Sequence, residues 1–463
     1  MRMITGRRFG WMIIAACVLT AGMGGEAPQP GDLGVRLSPD AKTAKAETVI
    51  TVDTTNDVEN ALDGVTSLRE AMQLAHDAPA GSDQKIEFLV GGTITLTNGQ
   101  LPATFGAANP ITIDGGDVIT IDGSNLPARI NPDPTFGAPC ILLGSPNNIL
   151  RGITFVKSTY SAVYISGTEA NNNRIENCYF GTNTADEAGL GNYVGIIIGS
   201  GAHDNTIGGN SPSARNVISG NIFAGIYIES ALMPVGSLTA RNAILGNYIG
   251  TNAAGSAAGP CNGTPGASMG VYVVNGAFDT VIGGVNASAR NVISGNCGFG
   301  VLISNAASGT VVSANYIGTD ASGMVAVPNT MAGVAMFASA AQNMIGGNTV
   351  GERNLISGNT LLGVVLSDSG TTQNMIYGNY IGVGADGTTS IPNQTGGVQI
   401  GNAASTNYIG NTDLRSGNVI ATNGGPGVMV TGATTYGNRI NSNRIYDNVG
   451  KGIFLEGGAN EGM

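Results

Sequence analysis

Charge is scarce in this chain of 463 residues: Asp, Glu, Lys and Arg together make 11% of it, against the quarter usual for soluble proteins. The net charge is −11, and the 20 basic residues are thinly spread, so no basic surface is expected for nucleic acid or an anionic membrane. Trp occurs once, at Trp11, and His only at His76 and His203. The five Cys form no Cys-x-x-Cys pair and have no His beside them, which argues against a zinc site. Beyond residue 24 no run approaches 18 apolar residues, so no transmembrane helix is expected in the mature chain. A 3.6-residue period is missing, which removes helical solenoids, and the four-strand blade motifs of propellers are missing too. Gly is abundant, at 73 residues, but keeps no three-residue register, which removes collagen. With 42% hydrophobic residues the chain still has enough apolar surface to bury a core, and disorder is not expected.

The first 24 residues read as an export signal. Arg2, Arg7 and Arg8 form a basic start, Phe9 to Leu19 is an apolar run too short to span a bilayer, and small residues follow at Ala21, Gly22, Gly24 and Gly25. The Arg7-Arg8 pair invites a twin-arginine reading, although Phe9 follows at once. Ile14-Ala15-Ala16-Cys17 resembles a lipobox, which would make Cys17 a lipidated anchor, but the apolar Val18-Leu19 after it speaks for a cleaved signal. The mature protein is expected to be exported and either secreted or held at the cell surface. Cys140, Cys178, Cys261 and Cys297 remain; Cys261 with Cys297 is the favoured disulfide, and four buried thiols acting as small apolar fillers is the other reading.

Repetition dominates what is present. NVISGN stands at 216–221 and 291–296, NLISGN at 354–359 and NVIATN at 418–423. Between them run NRIENCYFGTN (173–183), NAILGNYIGTN (242–252), TVVSANYIGTD (310–320) and NMIYGNYIGVG (374–384). A third element is Gly followed by apolar-x-apolar, beginning at Gly195, Gly225, Gly270, Gly300, Gly333, Gly363, Gly397, Gly427 and Gly452. Three strands of about four residues per turn of chain are too short to form a sheet alone. If each turn stacks on the last, alternation aligns Ile196, Ile226, Val271, Val301, Val334, Val364, Val398, Val428 and Ile453 in one inward column. Ile198, Ile228, Val273, Ile303, Met336, Leu366, Ile400, Val430 and Leu455 fall in the next. Gly and Asn suit the corners, where tight bends need positive φ, and stacked Asn can hydrogen-bond in ladders. The pattern predicts an all-β parallel solenoid with three short strands per coil.

These motifs resemble the right-handed parallel β-helix repeats of exported bacterial proteins, the pectin-lyase-like class, over roughly 139–463. The handedness follows from that resemblance alone. Residues 25–47 read as a flexible linker and 48–138 as a cap with the first coils. In the latter, Ser67-Leu68-Arg69-Glu70 is a capping box before a short helix through His76, and Lys85–Val90, Thr93–Leu96, Ile111–Asp114 and Ile119–Asp122 alternate as strands. Ser67 to Ala71 is similar to the Cys-Ser-Leu-Arg-Glu-Ala cap of secreted and outer-membrane β-helix proteins, with Thr66 where that motif has Cys. A helix laid across the first coil would blunt its open core and strand edges. His76 is read as a cap residue. At the other end Gly452–Leu455 is a full repeat strand with no cap after it, an open coil for another chain or a further segment to cover.

Polysaccharide lyases, epimerases and glycosidases built on such coils need clustered carboxylates, and the acids here are scattered. His203-Asp204 is the one His–acid neighbour pair in the coils, and Asp320 and Asp386 lie in related loops that would hold calcium weakly or serve simply as turn residues. No cofactor is otherwise expected. Three outward stripes are the binding candidates. The first is apolar and includes Tyr164, Tyr227 and Tyr272, either open to a glycan or protein or covered by the long connections 183–194, 252–269, 320–332 and 384–396. The second is Tyr179, Tyr248, Tyr316 and Tyr380, a sugar platform or a structural spine; the third is Arg215, Arg290 and Arg353, able to grip an anionic glycan or to bond turn carbonyls. The expectation is a non-catalytic exported protein with a surface or extracellular role, either structural or in binding a glycan or a cell-surface protein. A polysaccharide lyase or hydrolase on the same fold is the alternative.

Overall fold

A computed structural model describes residues 46–127, 137–230, 238–264, 266, 268–411 and 416–460. The expected export signal and most of the expected linker lie outside the described residues. Strands and turns make up almost all of the rest, and every strand-to-strand ladder between named strands is parallel, as in β1 (Glu47–Val52) against β2 (Asp83–Phe88).

Two sheets account for the coils. One has 11 strands, from Ile141–Leu143 to Ile453–Glu456, and forms the first column. Its register is the one expected from alternation: Ile196, Ile226, Val271, Val301 and Val334 are successive partners, and the ladder continues through Val364, Val398 and Val428 to Ile453. From Ile196 to Val428 these side chains are fully buried. The 23-stranded sheet holds the second and third columns side by side. In the early coils one long strand serves both: Ile111–Asp122 pairs with Ile149–Val156, with a register shift between Asp114 and Ile119. The sequence pattern splits the first of these into two strands; the structure keeps it continuous through Gly115 and Gly116. Later coils do break at this corner, as at Ala243–Leu245 and Tyr248–Ile249, which gives three strands per coil. The fold is a parallel β-helix.

Buried Asn side chains close the corners. Asn247 is typical: its Oδ1 accepts from the Asn216 N–H (3.2 Å) and Nδ2 (2.9 Å), while its own Nδ2 donates to Ile207 O (2.9 Å) and Asn291 Oδ1 (3.1 Å). Each Asn thus satisfies backbone groups that a bend withdraws from the ladder, and links its coil to both neighbours. The adjoining turn needs glycine for space as well as for its φ of +86° at Gly208, where a Cβ would stand 2.0 Å from Leu245 O.

At the N-terminal end helix α1 (Leu68–Asp77) is capped by Ser67 and Glu70 in a reciprocal capping box. It buries Leu68, Ala71, Met72 and Ala75. Arg69 is buried with Asp57: Nε–Oδ1 is 2.8 Å and Nη2–Oδ2 3.1 Å, and its other donors reach Gln100 O and Gly99 O. Each polar residue of the Ser-Leu-Arg-Glu stretch therefore has a defined structural use. His76 joins the helix end to the coils through Asp77 Oδ1 (2.9 Å) and Phe105 O (2.8 Å). Cys261 and Cys297 form a disulfide between neighbouring coils, whereas Cys140 and Cys178 are buried thiols, each pushed up to about 12 by desolvation. In the last coil the inward column residues Ile453 and Leu455 are 46% and 53% exposed. Among the described residues no helix is long and apolar enough to cross a membrane.

Candidate binding faces

On the outward side of the first column, Tyr164, Ile197, Tyr227, Tyr272, Leu302 and Ala335 stand in register. The three Tyr are half-buried. Their hydroxyls all reach the C-terminal ends of the strands and find partners there: Tyr164 with Ser200 Oγ (3.1 Å), Tyr227 with Glu229 Oε2 (3.1 Å) and Tyr272 with Ser304 Oγ (3.1 Å). Asn275 Nδ2 also donates to Glu229 (3.3 Å). Desolvation, then the Glu229 carboxylate, pushes the Tyr227 phenol well up, so this hydroxyl stays a donor.

Aromatic residues that the stripe did not include widen this face. Tyr193 and Phe223 stack with rings 5.7 Å apart and 5° from parallel. Phe223 in turn meets Tyr227 (6.0 Å) and Tyr272 (6.4 Å), and Tyr227 meets Tyr272 edge-on at 5.4 Å. Tyr193 and Phe223 each lie two residues before a repeat Gly, at Gly195 and Gly225. An aromatic at that offset in successive coils was the readable signal.

The second and third stripes turn out to be parts of one unit. The guanidinium carbons of Arg215, Arg290 and Arg353 lie 4.1, 4.0 and 4.1 Å from the ring centroids of Tyr248, Tyr316 and Tyr380. Their Nε atoms donate to Gly246 O (3.1 Å), Ala314 O (3.1 Å) and Gly378 O (3.0 Å). Against the same rings press hairpin glycines: a Cβ at Gly255, Gly323 or Gly387 would come within 2.6, 2.7 or 2.8 Å of the ring carbons. These hairpins are closed by Thr251–Ala258, Thr319–Ala326 and Val383–Ser390 bridges, so this part of the long connections folds over the third column. Tyr179 occupies the same row one double coil earlier, half-buried, its phenol raised by desolvation.

Asp320 and Asp386 spend their oxygens on their own loops. Asp320 Oδ1 accepts from the N–H groups of Met324 (3.1 Å) and Val325 (3.1 Å). Asp386 accepts from the Thr389 hydroxyl (2.6 Å) and from the N–H groups of Thr388 and Thr389 (2.9 Å each), bonds that hold its carboxyl well below the usual range. His203 Nδ1 lies 2.6 Å from Asp204 Oδ2 and Nε2 3.1 Å from Thr168 O, and Arg241 bonds both oxygens of Asp204 at 2.8 Å. Burial raises Asp204, but the Arg241 and His203 bonds outweigh it and hold the carboxyl low. Among the described residues no three His, Cys, Asp or Glu side chains come together as metal ligands.

No protein-family model and no curated protein matches the chain significantly. Among solved structures it is similar to the periplasmic alginate epimerase AlgG, at 12% identity over 89% of this chain and 83% of that one, with a TM-score of 0.44. It is similar also to the A-module of the Azotobacter vinelandii mannuronan C-5 epimerase AlgE6, at 14% identity over 88% and 98%, with a TM-score of 0.45. With the PL6 family alginate lyase AlyGC it shares 12% identity over 83% and 51%, with a TM-score of 0.32. The assignment of the fold rests on the strand register, and the chemistry is read from the residues.

Proposed function

We propose that this is an exported, non-catalytic β-helix protein that binds glycans on the outward face of its first column. One observation carries the reading: the linked rings of Tyr193, Phe223, Tyr227 and Tyr272, edged by hydroxyl, amide and carboxylate groups at Ser200, Glu229, Asn275 and Ser304. Sugar rings bury their C–H faces on aromatic rings and spend their hydroxyls on such a polar edge. The charge of that edge comes from Glu229, which favours neutral sugars over uronates. Elsewhere the carboxylates of Asp204, Asp320 and Asp386 are engaged in holding turns, which supports a non-catalytic role.

Screening the full chain on a glycan array tests this, followed by titration of the best neutral ligand against Tyr227→Ala. Loss of binding by tenfold or more is expected. An array with no neutral ligand, or an unchanged affinity in the variant, would refute the reading. A polysaccharide-active enzyme is the second reading, favoured by the imidazole of His203 oriented by Asp204, as in a general base. Against it, the other ring nitrogen faces Thr168 O, so the imidazole acts as a turn staple. Release of unsaturated or reducing ends from pectin, alginate or neutral glycans would establish the enzyme instead.

A further inference from the structure

We propose a second and separate saccharide site, a cleft at the step where the row of hairpins begins on the third column. In the first coils the outward side of this column carries Thr93, Thr120 and Thr154 in register, and the next residue of the row is Tyr179. At a rung spacing of about 4.8 Å the three Thr span about 10 Å of flat sheet. None of the three hydroxyls is engaged by a side-chain hydrogen bond among the described residues.

From Tyr179 onward the surface rises. The hairpins stack on one another, with Ala385 N–H on Gly323 O (3.0 Å), Ala321 N–H on Gly255 O (2.8 Å), and Ala253 N–H on Asp186 Oδ1 (3.1 Å). The 183–190 loop is thus the first layer of the stack, and its free flank faces the Thr row. Between them lies a groove of about 190 Å³.

Its polar groups are built in. Asp122 sits beside the Thr row with a side chain only 12% exposed, accepting from Ser124 N–H (2.9 Å) and facing Lys157 Nζ at 3.3 Å. Burial raises this carboxyl, but the Ser124 and Lys157 interactions outweigh it and keep it ionised. On the loop side Asn183 Oδ1 accepts from the N–H groups of Ala185 (3.0 Å) and Glu187 (3.2 Å), and its Nδ2 donates to Glu187 Oε2 (3.1 Å). A row of unused hydroxyls between two carboxylates and one ammonium suits a neutral, polyhydroxylated ligand. Sugar hydroxyls donate to Asp122 and Glu187 and accept from Lys157 and the Thr row. A chain of uronates meets an excess of negative charge. The ligand class is therefore a neutral oligosaccharide lying along the solenoid axis.

Cellotetraose, xylotetraose and mannotetraose are the probes, with trimannuronate as the acidic comparison, titrated calorimetrically into the full chain. At least one neutral tetrasaccharide is expected to bind, and Thr120→Val, which keeps the shape and removes the hydroxyl, to weaken it tenfold or more. Glu187→Ala, on the loop outside the coil, is expected to act in the same direction and guards against a folding defect in the first variant. Hydrogen–deuterium exchange then places the ligand. Protection over 92–122 and 183–190 supports the cleft even if the first-column face binds nothing. Protection confined to 193–200, 223–229 and 269–304 assigns the ligand to that face and overturns the cleft, as do tighter trimannuronate binding, unchanged affinity in both variants, or no binding by any of the three neutral probes.

Discussion

Asn315→Ala removes one rung of the Asn ladder at the corner between the second and third columns, and its effect can be worked out group by group. Asn315 is fully buried. Its Oδ1 accepts from the Asn291 N–H (3.2 Å) and Nδ2 (2.9 Å), and its Nδ2 donates to Ile282 O (2.8 Å), Ser313 O (2.9 Å) and Asn354 Oδ1 (3.2 Å). Truncation leaves at least the Asn291 N–H and Ile282 O short of a partner in a dry corner. At roughly 1–3 kcal/mol for each buried group so orphaned, the loss is about 4 kcal/mol. Coils contact only their neighbours, so the loss should be local. Native-state hydrogen exchange should show it between residues 282 and 356 and leave α1 unchanged. A uniform effect along the chain, or a loss below about 1 kcal/mol, would refute the view that the ladder carries the corners. The converse change exists in the chain already. Thr280 and Thr310 interrupt the ladder at the other corner, and their buried hydroxyls have no hydrogen-bond partner. Thr280→Asn should therefore stabilise its coils, by about 1 kcal/mol.

The Cys261–Cys297 disulfide closes a sequence separation of 36 residues, which in the chain-entropy picture is worth about 4 kcal/mol. Dithiothreitol should accelerate exchange in 252–300 before any other coil, and equal acceleration everywhere would contradict its role as a local clamp. His76 gives the cap a pH dependence of definite sign. The Asp77 hydrogen bond first, and that to Phe105 O second, raise its folded pKa above the unfolded value near 6.5. Its stabilisation is complete below that unfolded value and is lost as pH rises through the folded one. After correction for intrinsic rates, the α1 amides should lose protection as pH rises above 6.5, and His76→Gln should abolish that trend. A cap that grows more protected with pH would overturn the assignment.

The inward columns were legible because Gly followed by apolar-x-apolar recurs at a spacing close to one coil, so that Ile196, Ile226 and Val271 could be aligned without any knowledge of the turns between them. Asn216, Asn247 and Asn291 were legible for the same reason. The destinations of outward residues were not. Whether Arg215 faces solvent or lies on Tyr248 depends on a neighbour in the next coil, and whether the 252–258 loop turns toward the first or the third column depends on glycine packing at Gly255. The Tyr193–Phe223 pair escaped because it lies outside the strand alternation, in the turn before it. Residues Ile111–Asp122 look like two strands because Gly115-Gly116-Asp117 interrupts the alternation, yet the sheet absorbs them as an irregularity.

These differences supply a criterion for sorting the outward surface. An outward side chain that touches the next coil is part of the stack and varies at the expense of stability; Arg290 on Tyr316, with its bond to Ala314 O, is of this kind. An outward group that ends in an unused hydrogen-bonding atom or an uncovered ring leaves that atom or face available to a ligand, because the core columns and Asn corners already hold the coils together. The three Thr at the hairpin step meet this condition through their unengaged hydroxyls. The half-buried Tyr edge of the first column meets it in part, since its hydroxyls are anchored while its ring faces are shared among neighbours. On this argument the proposed Thr cleft should show the tightest geometric selectivity, since recognition there would be by hydrogen bonds. The proposed aromatic face, which would read mainly the apolar side of a sugar ring, should accept a wider range of glycans.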